Sequence, residues 1–451
     1  MKKNGLILQS IVAAALVALS GASAALDLMG SYERALQSDP SKRAADAAVL
    51  AGREKAVQGR ALLLPQISLS GSYAHVEDKS ATNLPPVLTE VIKPESSGQV
   101  HEAAIQLVQP LYNAKATADN KQLHQQTELA EISYRNARQD LIERVSEAYF
   151  GVLLAEEALR VTQAEKAAVQ MQRDRAKARF DVGRSKITDL QEAQARYDSV
   201  LAKEVSAEST LALRRAQYEE VTGAPAIGLA GLRSGFQPAP PQPDSLHAWQ
   251  TRGRELNVRV QAKERELVIA TVEIDKHKLS GRPTFDLVAS YSAKGQNGSL
   301  SPTISPNSNR AAVIGVQVNI PLFAGGAFNS RERESIAKKR QAEEELSAAQ
   351  RDARLQVQDA YLAVKKGVAR ISALEQSLLS TQTAFEATTL GRDLGSRTEL
   401  DVLDAQQRVF TAQLDLAQAR NDYLLGRIKL ASAAGDLQET DLRALNAYLT
   451  N

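Results

Sequence analysis

Two periodicities alternate along this chain, and each predicts a different kind of element. Leu141, Val145, Ala148, Val152, Ala155 and Leu159 recur in steps of four and three. Val357, Tyr361, Val364, Val368 and Ile371 do the same, and Val402, Ala405, Val409, Ala412, Leu416, Ala419 and Tyr423 alternate three and four. An apolar repeat of seven holds one stripe of a helix against its neighbours, so these stretches predict coiled-coil packing. Alanine at alternate stripe positions lets those neighbours approach closely. Proline breaks helix interiors, and none occurs from Leu111 to Ala224 or from Leu322 to Asn451. Long helices are therefore expected over about Ala114–Phe180 and Ala327–Arg392, each about 67 residues and so roughly 100 Å in length. Each leads through a glycine turn, Val182-Gly183-Arg184 or Leu394-Gly395-Ser396, into a shorter helix, about Ser185–Thr222 or Thr398–Ala434. Two more helices are expected, from Leu26 to Leu63 and from Ser245 to Leu279.

Four segments switch to a period of two. Ile67, Leu69, Gly71 and Tyr73 alternate with Gln66, Ser68, Ser70 and Ser72. Ala103, Ile105 and Leu107 form a second, imperfect set; Phe285, Leu287, Ala289 and Tyr291 a third; Ile314, Val316, Val318 and Ile320 a fourth. Each segment holds about 9–11 residues, the length that crosses a bilayer as a tilted strand. One apolar and one polar face suits a barrel with lipid outside and water inside. The stretches Lys79–Gly98 and Lys294–Arg310 are polar, as exposed loops should be. Four strands cannot close a barrel, and lipid tolerates no open edge. Closure takes about eight strands or more, so copies of the chain must share one wall. Two copies supply eight strands and three supply twelve; the pattern does not choose between them.

The chain also repeats itself. Gln109-Pro110-Leu111-Tyr112 matches Ile320-Pro321-Leu322-Phe323, and Val145, Ala148 and Tyr149 match Val357, Ala360 and Tyr361. Gly183, Asp189, Ala193, Gln194 and Arg196 match Gly395, Asp401, Ala405, Gln406 and Arg408. Several markers in one order argue for duplication. The expected division is a signal segment over 1–24, a first repeat over 25–223 with a hairpin at 64–109, and a Pro-rich linker over 224–247. A second repeat then spans 248–436 with a hairpin at 283–320, and a C-terminal tail covers 437–451.

Composition narrows the picture. Aromatic residues are only 4%, which favours helices packed through small side chains over a compact aromatic core. Residues 1–24 read as a secretory signal: Lys2 and Lys3, an apolar run from Leu6 to Leu19, then Ala22-Ser23-Ala24. Without Lys2 and Lys3, Lys+Arg equals Asp+Glu at 53, so no electrostatic footprint for nucleic acid remains. There are no cysteines, which excludes disulfides, thiolate metal sites and an acylated N-terminal Cys. The five histidines, His75, His101, His124, His247 and His277, lack metal-ligand spacing. No phosphate loop or nucleophile elbow appears. An enzyme is not expected, nor any cofactor or metal.

The order helix, hairpin, long helix, helix, repeated once, resembles the TolC family of outer-membrane channel-tunnels. The local match is densest at Gly395-Ser396-Arg397-Thr398-Glu399-Leu400-Asp401-Val402-Leu403-Asp404-Ala405, with support from Ala419–Leu424 and Asp441–Asn446. The resemblance implies a mainly α protein with a membrane β-barrel portion. A long coiled-coil helical tunnel would cross the periplasm, and four β-strands per protomer would contribute to a 12-stranded barrel in a homotrimer. It implies an outer-membrane exit duct for type I protein secretion or multidrug efflux. Its implied partners are a periplasmic adaptor protein, an inner-membrane ABC or proton-driven transporter, and the lipid bilayer. The alternative is a periplasmic coiled-coil structural or adaptor protein of an export system.

The resemblance also assigns residues. Asp401 and Asp404, three apart and hence on one helix face, match the positions that line the periplasmic constriction, where carboxylates from several copies would form a cation-selective ring. Thr188, Asp189 and Arg397 match the latch that keeps the entrance closed. The family's pattern places a Tyr in that latch where this chain has Arg392, which is expected to pair with Asp189 or to leave the latch looser.

Overall fold

The computed structural model describes residues 26–79, 95–233, 235–298 and 308–450. The expected signal segment, and 80–94 and 299–307 of the two expected loops, lie outside the described residues. In chain order the elements are α1 (Leu28–Ser38), α2 (Pro40–Ala61), β1 (Gln66–Lys79), β2 (Glu95–Tyr112), α3 (Ala114–Asp181), α4 (Ile187–Thr222), α5 (Leu246–Leu256), α6 (Val258–Lys278), β3 (Thr284–Gln296), β4 (Ser308–Asn319), α7 (Ala327–Asp393), α8 (Glu399–Ala433) and α9 (Glu439–Asn446). The fold is mainly α with one four-stranded sheet. None of the described helices is long and apolar enough to cross a membrane.

The chain divides into two compact units, each drawing on both halves of the sequence. The first holds the described parts of Met1–Asp46, Ser133–Gln261 and Ala349–Asn451. Its core is built from the heptad positions: Leu141, Val145, Val152, Val357, Val364, Ile371 and Tyr423 are almost completely buried. Phe236 packs edge-on against Tyr423 and Tyr448. The Tyr423 hydroxyl donates to the Ala239 carbonyl at 2.8 Å and accepts the Ala239 N–H at 2.9 Å, tying the Pro-rich segment to α8. In 437–451 the chain forms α9, whose Leu442 and Leu445 are buried. Beside them the Asn446 amide grips Asp27 at 2.6 Å and the Leu28 N–H at 3.0 Å.

The helices expected over Leu26–Leu63 and Ser245–Leu279 are each two helices, a correction with a local cause. Pro40 has no N–H and drives the residue before it out of helical conformation. Asp39 is extended (φ −65°, ψ 121°), and its carboxylate accepts the Lys42 N–H at 2.7 Å, so it closes α1 and caps α2. In the second half Asn257 plays the same part (φ −57°, ψ 123°). Its side-chain oxygen accepts the N–H groups of Arg259 and Val260 at 3.0 and 3.3 Å. Its amide donates to the Ala433 carbonyl at 2.9 Å.

Asp39 is also half of an ion pair. Its side chain is only 3% exposed and lies 2.7 Å from the Arg144 guanidinium. Burial pushes the carboxyl upward, but the Arg144 hydrogen bond and the Lys42 N–H outweigh it and hold Asp39 below its ordinary value. A depressed folded-state value stabilises the fold fully above the unfolded-state value, and that stabilisation is lost as pH falls through the folded-state value. Asp39→Asn is therefore expected to flatten the acid limb of the melting temperature plotted against pH. The check is thermal unfolding of the detergent-solubilised protein from pH 7 to pH 3; an unaltered acid limb contradicts the assignment.

The second unit holds Ala47–Ile132 and Ala262–Ala348, of which residues 47–79, 95–132, 262–298 and 308–348 are described. It contains an antiparallel sheet in the order β1-β2-β3-β4. The strands run from 12 to 18 residues, longer than the expected 9–11. The ladder of β1 and β2 continues into polar residues as far as Lys79 opposite Glu95, because backbone pairing needs no apolar side chain. Directly opposed residues share a face, so the register sorts the side chains into rows. One row runs Ile67, Leu107, Ala289, Ile314; the next runs Leu69, Ile105, Tyr291, Ala312. The other face carries Ser68, Gln106, Ser290, Val313, and then Ser72, Glu102, Lys294, Asn309. All four apolar sets read from the sequence thus meet on one face, apart from Ile320, which lies just past the end of β4. None of the described residues covers that face: Leu69 is 79% and Ile314 76% exposed. Within the described chain, β1 and β4 are open edges.

Candidate functional site

The candidate residues gather at the two turns that join long helix to short helix. In the first, α3 ends at Asp181 and Gly183 takes φ 72°, a left-handed conformation in which a side chain is disfavoured. The Arg184 N–H returns to the Arg179 carbonyl at 2.8 Å, closing the helix end. In the second turn Gly395 takes φ 78°, and the N–H groups of Ser396 and Arg397 both donate to the Gly391 carbonyl, at 2.8 and 3.2 Å.

The short helices begin with aspartates turned back on their own backbone. Asp189 accepts the Lys186 N–H at 3.3 Å. Asp401 accepts both the Thr398 N–H and the Thr398 hydroxyl at 2.8 Å, and the Asp401 N–H donates to the Thr398 hydroxyl at 3.1 Å. This reciprocal cap satisfies donors that would otherwise be orphaned at a helix start. The Thr398 N–H, then the Thr398 hydroxyl, hold the Asp401 carboxyl below its ordinary value, and the charge of Arg397 adds to the effect.

Within the chain Asp189 and Arg397 form no ion pair, and Thr188 is exposed in the first turn of α4. Arg392 does not reach Asp189 either. Its guanidinium pairs with Asp393 at 2.7 Å and with Glu399 at 3.3 Å. The physical reason is that Asp189 is committed to its own helix start, while Glu399 sits one turn past Gly395, facing the end of α7. Glu399 also takes the Arg179 guanidinium at 3.2 Å, so it joins the end of α3 to the start of α8. The Arg392 side chain is 8% and Glu399 13% exposed, which makes this the more enclosed charge cluster of the two turns.

Asp404 is held from α4. Arg196 Nη2 donates to Asp404 Oδ1 at 3.1 Å and also to the Gln407 side-chain oxygen. The contact is set by a small apolar cluster of Val169, Val200 and Leu403, with Tyr197 packed against it. Arg173 stacks 4.4 Å from the Tyr197 ring centre, fastening α3 to α4. The residues missed in the sequence are therefore Arg179, Glu399, Arg196 and Gln407. Arg196 was visible only as a marker of the repeat, and Glu399 only as a neighbour in the matching segment. A charge seven residues past Arg392, across a glycine turn, was the available signal.

Among the described residues no cluster of His, Asp and Glu has the makings of a metal site. The geometry is that of charged helix ends joined by glycine turns, and of an amphipathic sheet whose apolar face no described residue covers. Against known families, the model described as outer membrane efflux protein matches residues 31–224 and 250–436. The chain belongs to the outer membrane efflux protein family. It is 32% identical to the outer membrane protein TolC of Vibrio cholerae over 449 residues, covering 100% of this chain and 99% of that protein. It is 30% identical over 450 residues to the proteases secretion protein PrtF of Dickeya chrysanthemi, covering 98% of this chain and 95% of the relative. Its fold superposes on the crystal structure of the Campylobacter jejuni CmeC outer membrane channel with a TM-score of 0.78 at 16% identity. That match covers 94% of this chain and 90% of the channel. As a member of this family the protein is an outer-membrane exit duct for secretion and efflux, and its family is one of channels rather than enzymes.

Proposed function

We propose that three copies of the chain assemble into one duct, β4 of each pairing with β1 of the next to close a twelve-stranded barrel. The observation that carries this reading is the four-stranded sheet, open at both edges and uncovered on its apolar face. An even strand number and a β1-to-β4 junction keep the pairing antiparallel all the way round, as lipid requires of a wall without edges. The apolar rows face lipid, and the rows with Ser72, Glu102 and Lys294 face the lumen. The helices form the tunnel on the periplasmic side. The two glycine turns form its entrance, where Asp401 and Asp404 from three chains surround the constriction. The entrance is held shut by Glu399 with Arg179 and Arg392. A periplasmic adaptor engages the duct, and an inner-membrane transporter, ABC or proton-driven, supplies the energy.

The similarity to a protease secretion protein favours protein cargo among the exported substrates, with small-molecule efflux as the second use. The assembly is tested by measuring the mass of the detergent-extracted protein and its conductance in planar lipid bilayers. Three chain masses and discrete conductance steps are expected; a monomer that leaves the bilayer sealed would refute the reading.

A further inference from the structure

The acidic pair at the constriction is not chemically equivalent. Asp401 makes no ion pair within the chain: its carboxylate is engaged by neutral donors of Thr398, and Arg397 acts on it through its charge without contact. Asp404, on the same face of α8, lies 3.1 Å from the Arg196 guanidinium. Arg196 reaches it from α4, whose Val200 is buried against Leu403, the residue beside Asp404. The Gln407 side-chain oxygen takes a second N–H of the same guanidinium group, so Arg196 is steered from two sides. A planar guanidinium with several fixed donors suits that double contact better than an ammonium.

We propose that Arg196 sets the charge of the constriction by cancelling Asp404, leaving Asp401 as the one carboxylate of the pair that no cation contacts directly within each chain. The inference rests on reading Asp401 and Asp404 as constriction residues, and it adds a selectivity-determining residue from a different helix. In a trimer Asp401, Asp404 and Arg196 together then contribute three net negative charges rather than the six of the carboxylates alone. Charge rings set ion preference in narrow pores through their net charge and field. The duct is accordingly mildly cation-preferring, and its preference can rise or fall according to which member of the pair is removed.

The test uses the full-length protein in planar bilayers under a potassium chloride gradient, with the reversal potential as readout. Arg196→Gln is expected to raise the ratio of potassium to chloride permeability at least about twofold, because a full ring of carboxylates is unmasked. Asp404→Asn is expected to lower the ratio, since Arg196 is left without its counter-charge. The double variant returns near the starting value. Arg196→Lys keeps the charge and is expected to hold the reversal potential close to that of the unaltered protein, whereas a purely packing role would make Lys behave like Gln. If Asp401→Asn shifts the reversal potential and Arg196→Gln does not, the role of Arg196 is overturned while the constriction reading stands. If none of these variants shifts it, the constriction reading falls and this inference falls with it.

Discussion

Glu399→Gln is expected to open the resting channel. Among the described residues Glu399 is the carboxylate shared by the end of α3, through Arg179 at 3.2 Å, and the end of α7, through Arg392 at 3.3 Å. The two links differ in kind. Arg392 and Glu399 are enclosed and lie on either side of one turn, so that pair shapes the turn itself. Arg179 is 46% exposed and comes from the other half of the chain, so its pair is the one that the proposed opening breaks. A half-exposed pair contributes about 0.2–1 kcal/mol. Three such pairs broken together in a symmetric opening come to about 0.6–3 kcal/mol, roughly a 3- to 150-fold change in the closed-to-open ratio. That is strong enough to keep a resting duct closed and weak enough for an adaptor to overcome. Removing the charge should raise the mean resting conductance in planar bilayers by several-fold. Removing Arg179 alone should do nearly as much. High salt supplies an internal control: at about 1 M the screening length falls to roughly 3 Å, and the difference between variant and unaltered protein should narrow. Equal resting conductance at low salt would show that the latch lies elsewhere.

The second large effect belongs to the sheet. Val313 and Ile314 are adjacent in β4 and both exposed, at 61% and 76%. The register puts Ile314 in the row with Ile67 and Leu107, and Val313 in the row with Ser68, Gln106 and Ser290. If the first face meets lipid, Ile314→Lys brings an ammonium into hydrocarbon at a cost of about 2–4 kcal/mol near the midplane. A trimer bears that cost three times over. Val313→Lys, one residue away, places the same charge in water. Ile314→Lys should therefore abolish or sharply reduce outer-membrane trimer, while Val313→Lys assembles normally and only alters conductance. Membrane fractionation followed by separation of unheated samples on a denaturing gel reads both outcomes. Equal behaviour of the two variants would mean that the faces are wrongly assigned.

Much of this protein was determined by local patterning. The period of seven and the absence of proline placed α3, α4, α7 and α8 within about two residues of their observed ends, because a helix that long reports its packing stripe in every turn. The period of two located the four strands and their common apolar face, since a pleated strand alternates whatever its partner. Pro40 is a helix breaker, yet the helix expected over Leu26–Leu63 runs through it, because the helical pattern continues on both sides of the break. The strand ends were not legible, because pairing past the alternating residues depends on backbone hydrogen bonds alone.

The charge pairs at the two turns were decided by tertiary structure. Asp189 and Arg397 carry opposite charges in the sequence, but within one chain Asp189 is drawn into the cap of its own helix. Glu399 and Arg179 come from opposite halves of the chain, and Arg196 meets Asp404 only because Val200 and Leu403 pack together. An ion pair falls within a few ångströms or it does not, and that distance is set by how helices far apart in sequence are docked. A residue's charge can be read from its letter, whereas its partner is chosen by the fold.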